Sequence, residues 1–271
     1  GWDGANQTQE AIMWWLNGNG TGKTGIVTFC WHWRDPSKSG GDFYADKTTF
    51  RIPMKDGKLD TESNDFKLIQ RDLDKVAAEL SMLQKLGVPV LWRPMHEAGG
   101  DPKYNNPWFW WGASGSNKAE RAAAYKALYI YMHDYFTKTK ELDNLIWVWN
   151  AQVKEYYPGD EYVDIISEDI YPRQNDFSSQ KIKFTNAQKY TDSKKMIALS
   201  ENGVIPHPDN LETDNVHWLW FMTWNDANKS GTDKDNFWEG EYHNPDSHKK
   251  EVYNHKKIIT LDELPDLTKY E

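Results

Sequence analysis

The run Val88-Pro-Val-Leu-Trp-Arg-Pro-Met-His-Glu97 constrains the fold more than any other stretch of this chain. Val88, Val90, Leu91 and Trp92 are apolar and suit a β-strand covered on both faces, and Arg93, His96 and Glu97 follow at its C-terminal end. A strand buried on both faces belongs to a parallel α/β sheet, in which strand C-termini carry the polar chemistry. The same design recurs. Met196-Ile-Ala-Leu-Ser-Glu201 ends on a carboxylate, Gly25-Ile-Val-Thr-Phe-Cys-Trp-His-Trp33 on His32 and Trp33, and the run from Tyr162 on Asp169 and Tyr171. Six strands are expected in all, at 25–32, 88–94, 144–150, 162–170, 195–200 and 217–223.

Helical periodicity fills the intervals, near 6–19, 63–86, 117–138, 178–192 and 247–256. The second is the clearest, because Phe66, Ile69, Leu73, Val76, Ala77, Leu80, Leu83 and Leu86 recur on one face before Gly87. Residues 34–62 make a long loop whose Phe43, Tyr44 and Phe50 suit the ordered rim of a cleft. Alternating strands and helices predict a parallel α/β architecture. No Gly-rich phosphate turn follows any strand, which removes the nucleotide-binding sheets. Polar or aromatic residues end nearly every strand, as in a (β/α)8 TIM barrel with one working mouth. A closed barrel needs two strands more than the six. The expectation is therefore a single domain over 1–271, truncated at its N-terminus, lacking the first strand and most of the second, with Trp2-Asp3 as the tail of a strand.

A net charge of −9 disfavours nucleic acid as a partner. Cys30 is the only cysteine and can form no internal disulfide, and no HExxH or comparable spacing offers a metal site. No apolar run reaches the length of a membrane helix. Fifteen Trp and 14 Tyr exceed what packing alone demands, so some rings are expected as sugar platforms of a polysaccharide-binding cleft while others fill the core.

Among 41 acidic residues, only position distinguishes Glu97 and Glu201. Each directly follows an apolar strand. Two such carboxyls among aromatic rings match glycoside hydrolysis, where one is protonated to assist the leaving oxygen and the other attacks or activates water. Each is also compatible with capping a helix or pairing with an arginine. His32 and His96 fit either the barrel wall or a role in orienting a glutamate or binding a hydroxyl. Asp169 and Tyr171 fit either a helix start and a core ring or a hydrogen-bonded pair facing a carboxylate.

Leu91-Trp-Arg-Pro-Met-His-Glu97 with Trp108-Phe-Trp-Trp-Gly112 closely resembles the acid/base motif of glycoside hydrolase family 26. Trp31-His-Trp33, Tyr157-Pro-Gly-Asp-Glu-Tyr-Val-Asp-Ile-Ile166, Ser200-Glu-Asn-Gly203 and the run from Tyr253 to Glu263 are similar to further segments of that family. The resemblance covers nearly the whole chain and is nearest to the endo-β-1,4-mannanases. It implies a (β/α)8 barrel and a retaining double displacement, with Glu97 after the fourth strand as acid/base and Glu201 after the seventh as nucleophile. It further implies that His96 and Tyr171 support them, and that His32, Trp33, Arg93, Trp108, Asp169 and Trp224 contact the sugar. No metal and no cofactor are implied. The expected partner is a plant β-mannan, met outside the cell by a monomer, because the polymer cannot enter a cell. The same family includes mixed-linkage β-glucanases and β-1,3-xylanases. A carbohydrate-binding module would need the platforms but not both glutamates. The stretch Gly99-Gly-Asp-Pro-Lys-Tyr-Asn-Asn-Pro107 is longer than usual in the family, which is expected to reshape the leaving-group side of the cleft.

Overall fold

The computed structural model describes residues 5–18, 20–100, 106–224 and 236–269. Trp2 and Asp3, and residues 101–105 of the loop after Gly100, lie outside them. The chain forms two compact units. One runs to Asp164 and includes Thr268 and Lys269; the other spans Ile165–Leu267.

The first unit begins with α1 (Ala5–Asn17) and β1 (Val27–Trp31), followed by a short antiparallel hairpin of β2 (Met54–Lys55) and β3 (Lys58–Leu59). Then come α2 (Asn64–Lys85), β4 (Val90–Pro94), α3 (Lys118–Asp134) and β5 (Leu145–Trp149). β4 lies between β1 and β5, parallel to both, with Val27 opposite Val90 and Val90 opposite Leu145. α2 starts where Ser63 caps it, its Oγ accepting the Phe66 N–H at 3.0 Å. Its face of Phe66, Ile69, Leu73, Val76, Ala77, Leu80 and Leu83 is buried, as the periodicity predicts. The core of this unit is unusually rich in indoles. Trp33, Trp92, Trp110, Trp111 and Trp149 are all fully buried, and Trp31 stacks on Trp33 with centroids 4.1 Å apart.

In the second unit, β6 (Ile165–Ile170), α4 (Lys181–Ala187), β7 (Met196–Asn202), α5 (Pro208–Asp214), β8 (Phe221–Thr223) and α6 (Asp246–Tyr253) follow in order. β7 is central and parallel to β6 and β8. Every residue of β6 is buried, as a strand covered on both faces requires.

Three expected boundaries change. β6 starts at Ile165 rather than 162, because Asp160–Tyr162 form a 3-10 turn and Asp164 bonds Trp147 through both its backbone and its carboxylate. The strand expected over 217–223 is regular only at 221–223. Before it, Leu219 and Trp220 bond Ile197 and Leu199 beside an irregularity in β7. The helix near 178–192 shrinks to 181–187, entered through Gln180 in the left-handed region. A helix was also missed at 208–214, where Pro208 takes the first turn and His207 caps it; a proline followed by Asp209 is a start signal.

Candidate active site

In the first unit β4 stops at Pro94 and the chain turns through two left-handed residues, Met95 (φ 52°) and Glu97 (φ 49°). Such a conformation costs a non-glycine residue about 1–2 kcal/mol, so neighbouring structure must hold it. The Glu97 N–H donates to the Asn150 carbonyl at 2.7 Å, and the Gly99 N–H to that of Ala151 at 3.1 Å. From the other side, the Trp111 indole N–H donates to the His96 carbonyl at 2.9 Å. Gly112 approaches so closely that a Cβ there would stand 2.0 Å from the Ala98 carbonyl oxygen. The Trp-Phe-Trp-Trp-Gly run is thus the mould in which the Glu97 turn sits, and its glycine is a steric requirement.

His96 is buried against His32 (4.6 Å between centroids) and Phe109 (5.0 Å), and its Nδ1 meets no hydrogen-bond partner among the described residues. Burial first, then the charges of Arg93 and His32, hold its pKa well below the ordinary 6.5, so the ring is neutral. Arg93, also buried, donates from Nη1 to Asn150 Oδ1 at 2.9 Å. Trp108 differs from its indole neighbours in being 41% exposed. Its carbonyl accepts the Ala45 N–H, and Tyr44 bridges to Phe109, so the loop before α2 is anchored on this run. Trp33 is a correction. Its ring is 2% exposed and its N–H donates to Asp72 Oδ2 on α2 at 3.0 Å, which ties it into the core instead of offering it to a sugar.

In the second unit β7 carries an extra residue. Glu168 pairs with Leu199, but Asp169 pairs with Glu201, leaving Ser200 as a bulge. Ser200 Oγ donates to Asp169 Oδ1 at 2.6 Å. Glu201, buried and still within the strand, accepts the Tyr171 hydroxyl on Oε2 at 2.7 Å. Gly203 leaves the room this needs, because a Cβ there would lie 3.2 Å from the Tyr171 ring and 2.9 Å from that of Phe237. The bulge therefore turns one strand end into a carboxylate with a fixed phenol donor. Trp224 follows β8, its N–H on the Asn202 carbonyl at 3.0 Å.

The family model described as Glycosyl hydrolase family 26 matches residues 3–263. The chain belongs to that family. It is 37% identical over 251 residues to a mannan endo-1,4-beta-mannosidase of Thermothelomyces thermophilus, covering 89% of this chain and 46% of that protein. It is 36% identical to mannan endo-1,4-beta-mannosidase B of a Piromyces species, covering 95% and 40%. The family 26 chain thus spans less than half the length of these relatives. Among solved structures, a β-(1,4)-mannanase of Podospora anserina superposes with a TM-score of 0.78 at 33% identity, over 96% of this chain and 53% of that one. A β-mannanase from a symbiotic protist of the termite Reticulitermes speratus, complexed with a gluco-manno-oligosaccharide, gives 0.74 at 33% identity, over 96% and 72%.

Sequence reasoning missed two residues that position the carboxylates of this family 26 chain, and a third that is buried behind them. Asn150 holds Arg93 with its side chain and Glu97 with its backbone, and a polar residue closing the apolar run 144–150 was the available signal. Ser200 orients Asp169, and nothing local marks a bulge. Glu168, one residue before Asp169 and so on the opposite face of β6, is 1% exposed and accepts the Tyr190 hydroxyl at 2.8 Å. Burial pushes its pKa from 4.5 to about 7, and the Tyr190 hydrogen bond and the Lys183 charge offset this only in part.

A carboxyl whose folded pKa lies above its unfolded value binds its proton more tightly in the native state. Its favourable contribution is complete below pH 4.5 and is lost as pH rises to about 7. Glu168→Gln keeps an acceptor for Tyr190 and removes the charge. We expect it to stabilise the protein at pH 8 by about 2–3 kcal/mol and to change little at pH 4. Urea unfolding at the two pH values checks this, and a variant less stable at pH 8 contradicts it.

Proposed function

We propose that this chain hydrolyses β-1,4-mannosidic linkages of mannan, galactomannan or glucomannan, acting within the polymer and retaining anomeric configuration. The carrying observation is the Tyr171 hydroxyl on Glu201 at a bulged strand end, an arrangement that fixes the orientation of the carboxylate. Glu201 is the nucleophile that forms a covalent glycosyl-enzyme. Glu97 is the acid that protonates the leaving oxygen and then the base that activates water. The neutral His96 beside Glu97 and the Tyr171 phenol support them. His32, Arg93, Trp108, Asp169 and Trp224 contact the sugar. The fold that the family resemblance implies is a (β/α)8 barrel, and double displacement needs no cofactor.

The mannan assignment is supported by the names of the relatives, which are mannan endo-1,4-beta-mannosidases. A polymer that cannot cross a membrane places the enzyme outside the cell, and it acts there as a monomer. The test is release of reducing ends from galactomannan, mixed-linkage β-glucan and β-1,3-xylan, with Glu201→Ala as the blank. Galactomannan is expected to give the largest kcat/KM. Greater release from the glucan or the xylan would keep the mechanism and overturn the substrate. A crystal structure tests the stereochemistry, since a retaining pair of carboxyls stands roughly 5–5.5 Å apart and an inverting pair roughly 6.5–9.5 Å.

A further inference from the structure

Most of the tryptophans described above are core, but Trp238 is 43% exposed. It stands beside Tyr253 of α6, itself 40% exposed, with ring centroids 5.4 Å apart and planes at 72°. The two rings wall a shallow depression of about 420 Å³. Its remaining lining residues balance in charge, Glu239 and Asp246 against Lys249 and Lys250, with Asn254 beside them. Flat apolar faces ringed by hydroxyl partners of no net charge suit a neutral sugar, whose axial C–H groups lie on a ring while its hydroxyls reach outward. A charged ligand gains nothing from such a balance.

The wall is held in place. Lys249 Nζ donates to the Trp238 carbonyl at 2.6 Å, pairs with Asp246 at 2.8 Å and lies 5.4 Å from the centroid of the Trp238 ring. Asn244, fully buried, donates from Nδ2 to the carbonyls of Phe237 and Gly203 at 2.7 Å each, while its Oδ1 accepts the Ile205 N–H. That clamp joins the depression to the catalytic strand, because Gly203 closes β7 and Phe237 packs on Tyr171 at 5.6 Å, the phenol that bonds Glu201.

We propose that Trp238, with Tyr253, forms a distal subsite for the polysaccharide, continuous with the Glu201 end of the cleft, which binds a sugar several residues from the cleaved bond. This rests on the glycoside hydrolase reading above. A remote subsite rewards only substrates long enough to reach it, so its loss appears as chain-length dependence. In Trp238→Ala, kcat/KM on galactomannan divided by that on the shortest manno-oligosaccharide cleaved is expected to fall about tenfold, and Trp238→Tyr, which keeps a flat face, to restore most of it. A loss equal at every chain length, or none, overturns the subsite.

Affinity electrophoresis in galactomannan gels separates this from the parent reading. Retardation of the wild type that weakens in Trp238→Ala supports the subsite even if no polymer is cleaved. Cleavage with a ratio unaltered in Trp238→Ala removes the subsite and leaves the enzyme. Neither cleavage nor retardation removes both. Thermal unfolding of Trp238→Tyr alongside identifies a fold defect, against which the restored ratio is read.

Discussion

Glu201→Ala is expected to lower kcat on galactomannan by about 10⁴-fold or more, the order seen when a covalent nucleophile is deleted. Without the carboxylate no glycosyl-enzyme forms, and the Tyr171 hydroxyl, 2.7 Å from Glu201 Oε2, loses its acceptor. The effect belongs to the chemical step, because Glu201 pairs through its backbone with Asp169 just after the bulge, and a smaller side chain leaves that pairing intact. Thermal unfolding close to that of the wild type shows this independently. Added azide supplies the diagnostic. In the cavity left by the nucleophile it attacks the anomeric carbon directly, so the product is the α-mannosyl azide, of inverted configuration. A variant that keeps most of its activity removes Glu201 from the mechanism.

Glu97→Ala is expected to show a different signature. Loss of a positioned acid/base costs about 10²–10⁴-fold, and the full cost falls on the polymer, whose leaving hydroxyl must be protonated. An aryl mannoside with an acidic phenol needs no such help, so its first step stays fast. The glycosyl-enzyme then accumulates, since no base activates water, and a burst of phenol precedes slow turnover. Azide, a nucleophile that needs no base, relieves the second step and yields the β-mannosyl azide, with configuration retained through two inversions. Opposite anomers from the two variants assign the two carboxylates without reference to any distance. If both give the same anomer, the assignment of roles fails.

The organisation of the chain was legible because it is written in local periodicity. The α2 face from Phe66 to Leu83 appears in the structure as read, and so do the apolar runs that became β1, β4, β5 and β7. A strand covered on both faces needs continuous apolar residues, and residues that break that run at its C-terminal end stand out from composition alone. Glu97 and Glu201 were singled out in this way, before any contact was known. Trp33 was misjudged by the same logic. It follows a strand as His32 does, yet its indole bonds Asp72, 39 residues further along the chain.

The sequence by itself determined most of the strands and helices, though not α5 or the β2–β3 hairpin, and that two carboxylates follow two of the apolar runs. Only the tertiary structure decided how each carboxylate is presented. The Ser200 bulge is a shift of register against β6, the left-handed turn at Glu97 is held by Asn150 and Trp111, and Glu168 takes its high pKa from burial. Each of these depends on groups far apart in the chain. A bulge, a strained turn or a desolvated carboxyl is an energy of one segment in the field of another, and no local pattern carries it.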